Sequence, residues 1–270
     1  MSFVLDESTA AQEVGEGLYD VELDRRFWNT DNAFGGWIAA AIVGAWERHP
    51  EKRGALVNQN VQFHTAVRGH KARLSVGLVE RRRTIDFWKI EVREPEAGSR
   101  VLAAATLVAG ERTPTETRFD IEPEPMRPQA ESFRLDANEM TPSWFGHYEI
   151  YLAKGRPFSP NPKPRSATWV RESDHRPLDT KALAAMVDTP MPRTFFVRDG
   201  RLFASTVSLS THIYASDEEL AAVGDGFVLL DTHCRAIRHS FLNAETYAYS
   251  DAGLLLAASY QTGIFREPQS

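Results

Sequence analysis

Thr206 and Gln261 occupy strand positions where an earlier copy of the same pattern has leucine. Aligning Val57-Asn-Gln-Asn-Val-Gln-Phe-His64 with Val207-Ser-Leu-Ser-Thr-His-Ile-Tyr214 sets Leu56 against Thr206. Laying Val101-Leu-Ala-Ala-Ala-Thr-Leu107 over Leu255-Leu-Ala-Ala-Ser-Tyr-Gln261 sets Leu107 against Gln261. A hydroxyl and a primary amide can hold one water between them, which two leucines cannot do. One polar and one apolar copy of a scaffold therefore predict a single site per chain. Gln261 is the sharper signal, because it interrupts an otherwise apolar strand, whereas threonine is an ordinary strand residue. The sequence contains no Gly-x-Ser-x-Gly elbow, P-loop or Gly-x-Gly-x-x-Gly, and its eight histidines show no ligand spacing. Its one cysteine, Cys234, excludes an internal disulfide and reads, within Val228-Leu-Leu-Asp-Thr-His-Cys234, as a small buried hydrophobe in a strand.

The elements that position these residues recur twice. A small-residue run from Phe34 to Trp46 reads as a helix, followed by strands at 55–67, 72–80, 86–93 and 101–109, with a further strand at 19–23 before it. A run from Leu178 to Val187 reads as the second helix, with strands at 166–171, 202–214, 227–236, 245–250 and 254–265. The aromatic island Trp144-Phe-Gly-His-Tyr-Glu-Ile-Tyr151 reads as a strand opening the second half. One helix with a run of hairpin-connected strands implies an α+β layer in which an antiparallel sheet curls around a central helix, the hotdog fold. Two copies predict a double hotdog. Nine of the fifteen prolines fall between Thr113 and Pro164, which marks the connection. The expected organisation is an N-terminal hotdog over 1–115, a proline-rich linker over 116–140 and a C-terminal hotdog over 141–270.

The 270 residues are 42% hydrophobic and 25% charged, as in a soluble globular protein, and the net charge of −6 argues against a nucleic-acid partner. No segment approaches eighteen uncharged apolar residues, and the N-terminus lacks a basic region backed by an apolar stretch, so no membrane partner is expected and the cytoplasm is the expected compartment.

The chain resembles the double-hotdog acyl-CoA thioesterases, the type II bacterial and peroxisomal family. The likeness is carried by Phe34-Gly-Gly at the first helix start, Val61-Gln-Phe-His64, Glu80-Arg-Arg-Arg-Thr-Ile-Asp-Phe at a strand turn, and Leu256-Ala-Ala-Ser-Tyr-Gln-Thr-Gly263. It implies acyl-CoA as substrate and no metal or redox cofactor, and leaves self-association into a homo-oligomer open. In that family an aspartate, a threonine and a glutamine of the second hotdog hold the hydrolytic water; the matching positions are Asp188, Thr206 and Gln261. The family usually follows its threonine with an acidic residue and a histidine, whereas this chain has Ser208-Leu209.

A thioester has an activated carbonyl and a stable thiolate leaving group, so a positioned water with a carboxylate base can suffice. Asp188 would be that base. Charge developing on the thioester oxygen needs donors, and the free N–H groups at a helix start, here Gly35 and Gly36, would supply them. Two glycines inside a helix cost about 1 kcal/mol each, so close approach of a neighbour or a ligand is expected there. Asp188 precedes Thr189-Pro190 and is expected in the last helical turn, where the dipole disfavours an acid. Arg81-Arg-Arg83 reads as a solvated turn that could also meet phosphates. Two rival readings are a hotdog hydratase, whose Asp-x-Asn-Pro-x-His motif Asp31-Asn-Ala-Phe resembles only faintly, without the proline and histidine, and a non-catalytic acyl-CoA-binding module.

Overall fold

The structure, a computed structural model, describes residues 2–266 except 97, 120, 122, 160–162, 198–201 and 203. The first half holds α1 (Val4–Ser8), β1 (Ala11–Gly15), β2 (Leu18–Glu22), α2 (Gly35–Glu47), β3 (Ala55–Phe63), β4 (Lys71–Arg81), β5 (Ile85–Arg93) and β6 (Val101–Gly110). The second holds β7 (Phe133–Leu135), β8 (Tyr148–Lys154), β9 (Ser166–Glu172), α3 (Thr180–Met186), β10 (Ala204–Ile213), α4 (Asp217–Val223), β11 (Val228–His233), β12 (Ile237–Arg238), β13 (Phe241–Ser250) and β14 (Leu255–Phe265).

All strands pair antiparallel in one sheet, in the order β1-β2-β4-β5-β6-β3-β10-β14-β13-β11-β9-β8-β7, with β12 on β13. The seam between the copies is the β3–β10 pair, with Asn60 opposite Ser210. Outward from it, β3-β6-β5-β4-β2-β1 matches β10-β14-β13-β11-β9-β8, a pseudo-twofold double hotdog of the α+β class. The register repeats as well. Gln59 faces Leu107 in the first copy with a bulge between Leu56 and Asn58, and Leu209 faces Gln261 in the second with a bulge between Thr206 and Ser208.

Period-2 alternation sets the strands against the core: in β5, Trp88, Ile90 and Val92 are buried while Lys89 and Glu91 take the other face. Helix α2 is different, with every residue from Gly36 to Trp46 buried. A helix enclosed by its sheet on one side and a second helix on the other has no polar face to present. That second helix is α3, which runs antiparallel to α2: a Cβ on Gly36 would lie 2.5 Å from Ala185 O near the end of α3, and one on Gly44 3.6 Å from Lys181 Cδ near its start.

Several expectations from sequence need correction. The second helix covers seven residues and not the whole of 178–187, because Asp179 caps it by accepting from Ala182 N at 2.8 Å and Thr189-Pro190 stops it. Residues Ser143–His147 form a 3-10 turn, and the strand begins only at Tyr148. The strand expected to reach Val67 ends at Phe63, where His64 N and Thr65 N both turn to Leu102 O. Cys234 lies past the end of β11 and is half-buried, with its thiol on Ala236 O.

The range read as linker contains β7, and it packs on the outer face of the second-copy sheet. There Trp169 Nε1 donates to Arg127 O at 2.9 Å and Met126 joins the cluster of Trp169, Leu229 and Tyr249. Helix α4 escaped the sequence reading although its capping box, Ser216 with Glu219, is a readable start signal. In the arginine run, Arg81 binds the buried Asp86 while Arg82 lies 6.0 Å from the Phe87 ring centre. Among the described residues no helix is long and apolar enough to cross a membrane.

Candidate active site

The second-copy bulge decides which way Thr206 points. Along β10, Leu209, Thr211 and Ile213 are the buried, core-facing positions, so strict alternation would turn Thr206 outward. The extra residue at the bulge corrects the parity, and Thr206 comes opposite Gly263 on the same face as Gln261. Val207, the residue between the shifted pairs, is 37% exposed. Asp188 arrives from another direction. It follows the last turn of α3, its N–H bonded to Ala185 O at 3.2 Å, and the next two residues, Thr189 and Pro190, lead the chain away.

These three side chains meet. Gln261 Nε2 donates to Asp188 Oδ1 at 2.6 Å and to Thr206 Oγ1 at 2.9 Å. Both amide hydrogens are thereby used, and this orientation is the one an ionised carboxylate selects, since the reverse would set Oε1 against a negative charge. Among the described residues Gln261 Oε1 and the Thr206 hydroxyl hydrogen have no protein partner, which leaves both available to a ligand.

The two glycines come from the other copy. A Cβ on Gly35 would lie 2.6 Å from Asp188 Oδ2 and 3.3 Å from Phe63 Cζ, so only glycine admits the carboxylate there. On Gly36 it would meet Ala185 O at 2.5 Å and two atoms of the Phe34 ring at 2.6 Å. The Gly36 N–H favours the ionised form of the Asp188 carboxylate, which the first turn of α2 thus meets with free backbone amides. The unfavourable end of the α3 dipole at Asp188 is therefore countered by the favourable start of α2.

Asp188 keeps part of its surface open but is closely surrounded by protein. Burial pushes its carboxyl up to about 7, against the opposing pull of the Gly36 and Gln261 hydrogen bonds. A carboxylate so poised can take a proton near neutral pH. Phe34 stacks on Trp144 with centroids 4.3 Å apart, which closes one side with aromatic carbon. Neither Phe63 nor Trp144 emerged as a site residue from sequence; for Trp144 the aromatic island was the available signal. The hydratase-like Asp31 sits on the surface in an ion pair with Arg68 at 2.6 Å. Among the described residues no three of His, Cys, Asp and Glu are grouped to hold a metal.

Comparison with known proteins bears on the same chemistry. The acyl-CoA thioesterase N-terminal domain model matches residues 25–110 and the C-terminal domain model matches 120–265. No curated protein matches the sequence. Among solved structures, a conserved protein of unknown function with a hot dog fold from Alicyclobacillus acidocaldarius is 23% identical and superposes with a TM-score of 0.94 over 100% of both chains. An acyl-CoA thioesterase II from Mycobacterium marinum is 14% identical, with a TM-score of 0.76 over 98% of this chain and 99% of that one. A tesB protein from Mycobacterium avium subsp. paratuberculosis is 16% identical, with a TM-score of 0.75 over 97% and 98%. At such identities the structural likenesses establish the fold, and the two domain models establish more: the chain belongs to the acyl-CoA thioesterase family.

Proposed function

We propose that this protein hydrolyses an acyl-CoA to free acid and thiol, using a water held by Asp188, Thr206 and Gln261. The observation that carries the reading is the Gln261 amide bridging Asp188 and Thr206, because it joins a helix end and two strands at one point. A water there would donate one hydrogen to Asp188 and the other to Gln261 Oε1, and accept from the Thr206 hydroxyl. Its remaining lone pair faces the thioester carbonyl carbon. As the C–O bond forms, the proton passes to the carboxylate and charge builds on the carbonyl oxygen, which Gly35 N–H and the positive end of α2 stabilise. Collapse of the tetrahedral intermediate breaks the C–S bond, and Asp188 returns its proton to the thiolate. The Gly36 N–H supports the base by favouring its ionised form. The proposed compartment is the cytoplasm.

The base must be ionised to act, so kcat is expected to rise with pH through about 7, the value to which burial lifts Asp188. The test is thiol release across a panel of acyl-CoA lengths by wild type and Asp188→Asn, with binding measured by calorimetry. Asp188→Asn keeps the shape but removes the proton acceptor, and should lower kcat by roughly 10²- to 10⁴-fold while binding survives. Unchanged hydrolysis in that variant would remove the mechanism. Tight binding by a wild type that never turns over would favour the binding module.

A further inference from the structure

The start of α2 has an unusual means of support. Its N-cap residue, Phe34, has no side-chain acceptor to offer the first turn, and Gly35 and Gly36 stiffen it least of all residues. Yet this turn lies directly against a carboxylate from the other copy: a Cβ on Gly35 would fall 2.6 Å from Asp188 Oδ2. The Phe34 ring lies directly on Gly36, since a Cβ there would come within 2.6 Å of Cε1 and Cζ. On the Phe34 ring lies Trp144, nearly parallel at an interplanar angle of 14°.

Trp144 is itself held at both ends. Its Nε1 donates to Asn29 Oδ1 at 3.0 Å and its backbone N–H reaches Trp28 O at 3.4 Å. The same 3-10 turn sets His147 on Phe27 with ring centroids 4.8 Å apart, and Phe27 O accepts from Phe34 N at 2.9 Å. A turn from the second half thus grips the loop and ring that precede α2 in the first half. Trp144 and Phe34 are both almost fully buried, so the stack is a fixed contact in the core.

We propose that Trp144 is a positioning residue for this site: through its stack on Phe34 it holds the first turn of α2 against the Asp188 carboxylate. This rests on the reading of Asp188 as the base. The path runs Asn29, Trp144, Phe34, the Gly35–Gly36 turn, Asp188, every step a contact described above. Loss of the stack frees the Phe34 ring, the glycine turn relaxes, and the carboxylate loses a donor that favours its ionised form. The affinity of Asp188 for its proton then rises. Among the described residues, Tyr148 is the titratable group whose own titration responds to Asp188, and burial holds that phenol well above its ordinary value, so it stays neutral throughout.

A purely structural role for Trp144 would lower the melting temperature and leave the Asp188 titration where it is. The experiment is a carboxyl-carbon NMR titration of full-length protein carrying labelled aspartate, with Asp188→Asn identifying the signal, alongside the pH profile of thiol release. Trp144→Leu keeps apolar bulk but not the flat stack, and should raise the Asp188 midpoint by about one pH unit. The acid limb of the rate profile should move by the same amount. Trp144→Phe restores a ring and should bring the midpoint back to that of wild type.

A Trp144→Leu protein that folds and titrates at the wild-type midpoint overturns the proposal. If that variant fails to fold, Asn29→Ala decides: loss of the indole anchor should raise the midpoint by a few tenths of a unit, and no movement overturns the proposal. The titration does not need turnover. A wild type that releases no thiol defeats the thioesterase reading alone, while a fixed midpoint with thiol release intact defeats the role of Trp144 alone.

Discussion

At one end of the antiparallel α2–α3 pair, Gln261 and Thr206 meet Asp188; at the other, Leu107 and Leu56 occupy the same register positions, each 1% exposed. The residue opposite Gln261 on the neighbouring strand is Ala244, whereas Leu107 faces Trp88. Trp88 packs edge-on against Trp46, 6.4 Å between centroids, and against His49 at 5.0 Å. The helix starts differ in the same sense. Helix α3 is closed by its own Asp179, itself paired with Arg176, while α2 starts without a side-chain cap and sets its first turn against Asp188.

The backbone, including the bulge, is shared, so the site does not follow from the fold. It follows from a few exchanges that remove bulk and add polarity at one end. The apolar end carries a cost of its own: Trp46 Nε1 and Trp88 Nε1 are buried without a partner among the described residues.

The largest effect expected from erasing this difference comes from Gln261→Leu, which gives the second copy the residue of the first. Asp188 and Thr206 lose their common donor, and kcat should fall by roughly 10²- to 10³-fold, as on removal of one preorganised catalytic donor. Thiol release measured at saturating substrate tests it, and a loss below tenfold would mean that the bridge is structural. The reverse exchange, Leu107→Gln, should create no activity, because Leu56 supplies no hydroxyl. It should instead cost about 1–3 kcal/mol by burying an amide without partners, read as a lower denaturation midpoint. A second catalytic rate in that variant would show that the register alone suffices.

A smaller effect concerns pH. The Asp188 carboxyl rises from 3.8 to about 7 on folding, so its burial favours the protonated form, and stability is lost as pH climbs through 7. Asp188→Asn should therefore stabilise the protein at pH 8 by about 1–3 kcal/mol and much less at pH 5, as read from chemical denaturation at both pH values. Equal gains at the two pH values would show that the carboxylate is not strained by burial. The smallest change is expected from Ser216→Ala, where loss of the α4 cap should cost about 1 kcal/mol in the same assay with kcat unaltered.

Much of the scaffold was legible in the residues. The expected spans for β4, β5, β6 and β14 fall within a residue or so of the observed ones, because long strands with one face in the core alternate strongly. Strand β13 starts at Phe241, four residues before the expected Glu245, since Asn243 breaks the strand pattern while its side chain accepts from Arg235 N and Ala236 N across the β12 turn. Helix α3 was overdrawn because its cap and its terminating residues read as part of one apolar run.

By itself the sequence determined the long strands and the two central helices, the duplication, and the polar character of Thr206 and Gln261 against Leu56 and Leu107. These are properties of one strand or helix, recorded in its own periodicity. Tertiary structure alone decided that the bulge turns Thr206 inward, that β3 and β10 join the copies, that Asp188 at the end of one helix faces Gly36 at the start of another, and that Trp144 reaches Phe34. Each depends on register and on packing between segments remote in the chain. A slip of one residue would reverse the faces, and no local pattern carries that information.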